Sequence, residues 1–122
     1  MSLVGIPFSQ YFSVHQHASV AAGSTNTRVF YGQIPQSCVG FLYKFGNNYH
    51  SSTYLTWIID GVKIEKQIER QIGSVDRPAQ FNEENGGPYL VKSYIEVTAT
   101  NPTSEDLTFE VLADGVCFQT RV

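Results

Sequence analysis

TWIIDGVKIE, residues 56–65, sets two apolar runs on either side of an Asp-Gly pair, and EVLADGVCFQ, residues 110–119, repeats the arrangement. Asp-Gly supplies the positive φ angles of a tight type I′ turn, so both Asp60-Gly61 and Asp114-Gly115 are expected to be hairpin tips. The echo reaches further back. A shift of 54 residues lays FLYKFGNNYHSSTYLTWIIDGV (41–62) on IEVTATNPTSEDLTFEVLADGV (95–116), with Asn47 on Asn101 at a loop start. Strand, polar loop, strand, Asp-Gly turn, strand is thus written twice. Duplication and convergence on good hairpin chemistry both explain it, and either way two three-strand meanders can supply the halves of a sandwich.

Outward from that stretch the chain reads as strand almost throughout. YFSVHQHASV, TRVFYGQI, CVGFLYKF, TYLTWII, VKIEKQI, YLVKSYIEVTAT, LTFEVLA and VCFQTRV are rich in Val, Ile, Thr, Tyr and Phe. Turn-forming stretches such as AAGSTN, GNNYHSS, NGGP and NPTSED separate them. A helical spacing of four joins Ile64, Ile68 and Ile72, but Val62 and Ile64 alternate with Lys63 and Glu65, and strand is preferred there. Each strand has an apolar face that must meet another sheet. The expectation is an all-β, single-domain antiparallel β-sandwich over residues 1–122, with about eight strands. A jelly roll is one way to connect them. An N-terminal arm (about 1–10) and a long crossover loop (about 70–90), interrupted by Pro78, Gly86, Gly87 and Pro88, complete the plan. A loop of that length serves either partner contact or passage between sheets.

Charged residues make up 16% of the chain, against about 25% in an average soluble domain. Either subunit contacts cover part of the surface, or Ser, Thr, Asn and Gln solvate it. The net charge of −3, with eight basic residues scattered singly, offers no footprint for a nucleic-acid backbone. The N-terminal MSLVGIPFSQYFSV reads as neither signal peptide nor membrane span. Cys38 and Cys117 are too few for a disulfide framework or thiolate zinc site, and reduced thiols packed in strands are expected, with a single bridge between them as the alternative.

Chemistry is thinly written. His15 and His17 in VHQH share one strand face, and His50 would complete a three-histidine metal site. A cupin metal motif begins with His-x-His, but ASVAAGSTN follows here and lacks the required Glu, so no metal or other cofactor is expected. There is no Gly-x-Ser-x-Gly elbow, no phosphate-cradling glycine loop, and no distinctive spacing among Glu65, Glu69, Glu83 and Glu84. The reading is non-enzymatic.

Sixteen aromatic rings remain, too many for one small core, and neighbours such as Tyr11-Phe12 and Phe30-Tyr31 must point to opposite faces. Outward rings suit a subunit interface or a sugar-stacking platform. Interface residues are expected at Phe8, Tyr11, Phe81 and Tyr89; the carbohydrate-binding alternative would stack sugars on Tyr43, Tyr49 or Tyr54.

TWIIDGVKIEKQIERQIG, RPAQFN, YIEVTATN and FEVLADG together, over roughly residues 39–118, resemble small β-sandwich structural proteins of tailed bacteriophage virions. The resemblance implies a capsid decoration, minor head, connector or fibre-associated protein. Such a protein acts as a homo-oligomer with other virion proteins, assembled in the host cytoplasm into the particle, without nucleic acid or membrane as partner. That class has no shared motif, so no functional residue is transferred.

Overall fold

The computed structural model describes residues 5–48, 50–68, 79–80 and 89–119. Two antiparallel sheets pack face to face. Sheet A contains β1 (Ile6–Pro7), β2 (His15–Val20), β4 (Cys38–Asn47), β7 (Ala79–Gln80), β8 (Tyr89–Val91) and β10 (Leu107–Gln119). Sheet B contains β3 (Ser24–Gln33), β5 (Tyr54–Ile59), β6 (Val62–Ile68) and β9 (Tyr94–Asn101), in the order β3-β9-β5-β6. In sheet A, β10 is flanked by β2 and β1 along one edge and by β4 along the other, and β7 and β8 pair beyond β4. Successive strands cross repeatedly from one sheet to the other, and the first and last lie side by side. This is the jelly-roll arrangement.

That connectivity corrects the expected pair of meanders. β4 and β5 lie in different sheets, as do β9 and β10, so each polar loop of the echo is a corner between sheets. Asn47 and Asn101 end their strands at those corners, and both are fully buried. YLVKSYIEVTAT likewise divides at Lys92-Ser93 into β8 of sheet A and β9 of sheet B. Asp60 holds that division in place: its carboxylate accepts the backbone N–H groups of Lys92, Ser93 and Tyr94 at 2.9, 2.6 and 3.1 Å.

The two Asp-Gly pairs part company. Asp60 (φ 54°) and Gly61 (φ 83°) form the expected type I′ tip between β5 and β6. Asp114-Gly115 is not a tip: β10 runs straight through it, paired to β4 from Val111 to Gln119. The register slips there, because Asp114 faces Lys44 while Gly115 faces Leu42. Tyr43 is therefore the extra residue of a β-bulge, and Tyr43 and Lys44 both face outward. Glycine is needed at 115 for close approach, since a Cβ would run into the Phe41 carbonyl oxygen.

The core lies between the sheets, with Phe30, Leu42, Leu55, Trp57, Ile95, Val97, Phe109 and Val111 buried. Trp57 points inward with Leu55 and Ile59, edge-on to Phe45. Within the expected N-terminal arm, Ile6–Pro7 form a strand and Phe8 belongs to this core. β1 pairs with β10, and the chain then turns through a 3-10 segment, Phe8–Gln10, in which Tyr11 and Phe12 N–H groups both bond the Phe8 carbonyl. The turn lays the Phe8 ring over Gly40 and Gly115, where a Cβ would come within 3.0 and 2.8 Å of it. Part of the expected crossover loop is strand as well, because β7 and the start of β8 pair with β4.

Gln16 joins the two sheets at one flank. Its amide donates to the Tyr31 carbonyl at 2.9 Å and accepts the Tyr31 N–H at 3.2 Å, so a side chain takes the place of a strand partner along β3.

Candidate functional site

The two outer faces differ in chemistry. On sheet B, Tyr94, Glu96, Thr98 and Thr100 of β9 alternate with its buried residues, flanked by Tyr54, Thr56 and Ile58 of β5 and Tyr31 of β3. Tyr31 stacks on Tyr94 at 5.7 Å, Arg28 lies 4.4 Å above the Tyr31 ring, and Arg28 pairs with Glu96 at 2.7 Å. The ring faces of Tyr31 are thus covered from within the chain.

On sheet A the half around the bulge is apolar. Leu90 of β8 is in register with Phe41 of β4, Phe41 with Val116 of β10, and Val116 with Pro7 of β1. One step along, Val39 is in register with Phe118, whose ring meets Phe41 edge-on at 5.7 Å. Leu90 is 43% exposed and Tyr43 37%, while Phe41, Val39, Val116 and Phe118 are partly exposed. Charge enters this half at its margin, with Lys44 opposite Asp114. No salt bridge joins them; among the described residues the ion pairs are His15–Glu110 and Arg28–Glu96. A shallow cavity of about 290 Å³ opens over the bulge, lined by Pro7, Tyr43, Lys44, Asp114, Gly115 and Val116. The far half of the same face is polar, carrying His15, His17, Ser19 and Glu110.

The expected interface residues fare unevenly. Phe8 is corrected: it is completely buried, turned inward by the 3-10 segment, and unavailable to a neighbouring subunit. Tyr11 is 37% exposed; burial, then the neighbouring thiols of Cys38 and Cys117, raises its pKa. Phe81 lies outside the described residues. Tyr89 is described in its backbone, which pairs with Leu42, and its side chain lies outside the described residues. Of the proposed sugar-stacking rings, Tyr43 and Tyr54 belong to opposite outer faces and cannot form one platform, and Tyr49 lies outside the described residues.

The histidines do not converge. His15 Nε2 lies 3.2 Å from Glu110 Oε2, whereas His50 Nε2 lies 2.8 Å from the Thr108 carbonyl oxygen and its ring meets Phe109 edge-on. Among the described residues no group of three or more His, Cys, Asp or Glu side chains is placed to hold a metal ion. Cys38 and Cys117 are free, buried thiols on adjacent strands. Burial, then the neighbouring Cys38, pushes the Cys117 thiol up to about 11, so it is a packed group at neutral pH and not a nucleophile.

Sequence reasoning missed Phe41, Val39, Val116 and Phe118 as a surface cluster. The alternation of β4 carried the signal, because burying Cys38, Gly40 and Leu42 obliges Val39 and Phe41 to face out. Compared with protein-family models and with curated proteins, the chain matches none.

Proposed function

We propose that the protein is a non-enzymatic building block of a viral particle, of the capsid-decoration, minor head or connector kind, and that it works by docking the apolar half of sheet A. The observation that carries this reading is the contrast between the two outer faces. Leu90, Phe41, Val39, Val116, Phe118 and Tyr43 form one continuous field, whereas the described outer face of sheet B carries Thr, Tyr and an ion pair, with Ile58 beside Glu96 interrupting the polar side chains. Continuous apolar surface on a sheet marks a binding face, and covering it contributes roughly 25 cal/mol per Å² before the entropic cost of association. The jelly-roll order supports the reading by analogy, since viral capsid domains recur on it, as do lectins and cupins.

Mass spectrometry of intact particles tests it. The chain should be present in fixed ratio to the major shell protein, and Leu90→Asp should lower its incorporation at least about tenfold with the circular dichroism spectrum unchanged. A folded monomer that stays off particles and binds glycans on an array would refute it in favour of a carbohydrate-binding module.

A further inference from the structure

Resting on the assembly reading, we propose that the docking partner of sheet A's apolar half is the same face of a second copy. The two copies would be related by a twofold axis lying between the faces and running along the strands midway between β4 and β10. Such an axis lays each β4 residue of one copy over the β10 residue of the other that occupies the in-register position.

The strand registers make that superposition complementary in size. Phe41 would rest on Val116 of the second copy, and Phe118 on its Val39, so a ring meets an aliphatic side chain each time. Leu90, beyond β4, would rest on Pro7, beyond β10. Tyr43, the unpaired residue of the bulge, would come down over the cavity that Asp114, Gly115 and Val116 line on β10.

Charge makes the same point independently. Lys44 and Asp114 are in register, exposed or half-buried, and not joined by a salt bridge within the chain. The axis sets Lys44 against Asp114 of the second copy, and Asp114 against its Lys44. An isologous contact is thereby closed by two opposite-charge pairs at its margin. Aligned packing of two such faces is the geometry that sheets already adopt inside a sandwich, about 10 Å apart.

Sedimentation velocity on the purified full chain from about 1 to 200 µM tests this, a dimer with a dissociation constant on the order of micromolar being expected. Lys44→Glu alone would oppose two acids across the axis, and Asp114→Lys alone would oppose two amines. Each should weaken dimerisation at least about tenfold. An equimolar mixture of the two variants restores an acid–amine pair at both contacts, so heterodimers should form near the wild-type affinity. The like-charge pair created inside each chain is the same mixed or unmixed, so recovery reads only the contact between copies. Asp114 also accepts the Gly115 N–H. If Asp114→Lys fails to fold, Lys44→Glu and the exposed-site variant Leu90→Asp decide the matter, and both should dissociate the dimer. A strict monomer at 200 µM, a species larger than a dimer, or a dimer indifferent to Lys44→Glu and Leu90→Asp would overturn the proposal. A strict monomer that still enters particles would overturn self-pairing while leaving the assembly reading standing.

Discussion

Asn47 and Asn101 occupy matching corners, yet their hydrogen bonding differs. Asn101 Nδ2 donates to the Val20 and Glu105 carbonyls at 3.0 and 2.8 Å, and its Oδ1 accepts from the Thr103 N–H and hydroxyl at 3.1 and 2.6 Å. Asn47 donates to the Asn48 carbonyl at 2.9 Å, and its Oδ1 has no partner. Asn101→Ala strands several buried backbone groups and should cost about 3 kcal/mol, whereas Asn47→Ala also removes an unsatisfied oxygen and should cost about 1 kcal/mol or less. Urea unfolding of the two variants checks the difference. Cys117 gives a second prediction. Its folded pKa, about 11, stands above the ordinary 9.0, so the native state holds this proton more tightly than the unfolded chain. The resulting stabilisation is complete below pH 9 and is lost as pH rises through about 11. Urea midpoints between pH 8 and 11 should fall more steeply for wild type than for Cys117→Val, with the two curves separating only above pH 9.

At the scale of elements, one dipeptide does two jobs, and a pair of substitutions separates them. Gly61→Ala places a side chain at φ 83° with its nearest neighbour, the Tyr94 hydroxyl, 3.6 Å away, and should cost about 1 kcal/mol. Gly115→Ala drives a Cβ into the Phe41 carbonyl and the Phe8 ring; it should cost more than about 4 kcal/mol or abolish folding, as read by thermal melts. The sequence could not distinguish these roles. What decides at 115 is a carbonyl on β4, more than 70 positions earlier in the chain, and local turn chemistry contains no trace of it. Strand existence was legible because period-two alternation is local: TYLTWII puts Leu55, Trp57 and Ile59 inside as its pattern requires. Sheet membership was not, since it depends on which neighbour each strand finds. Outward rings were anticipated, but the wrong one was chosen at Phe8. Its direction is set by a 3-10 turn and by the space above two distant glycines, neither of which appears in the residues around it.

For the whole molecule, partial chains should be unable to fold. In sheet A, β10 is the strand that joins β1 and β2 to β4, and in sheet B, β9 joins β3 to β5. A fragment ending at residue 105 keeps every described strand except β10, but it leaves one face of Phe8, Val20 and Leu42 without the cover of Phe109, Val111 and Ala113. Such a fragment should show no cooperative urea transition, while the full chain shows one; a fragment that melts cooperatively would contradict the shared core. The same arrangement governs how the protein is made. Both organising strands follow all the other described strands in the chain, so during synthesis β1 to β8 leave the ribosome with neither sheet able to close. Folding must wait until translation has passed residue 119, and until then the nascent chain presents its unpaired edges to whatever holds it.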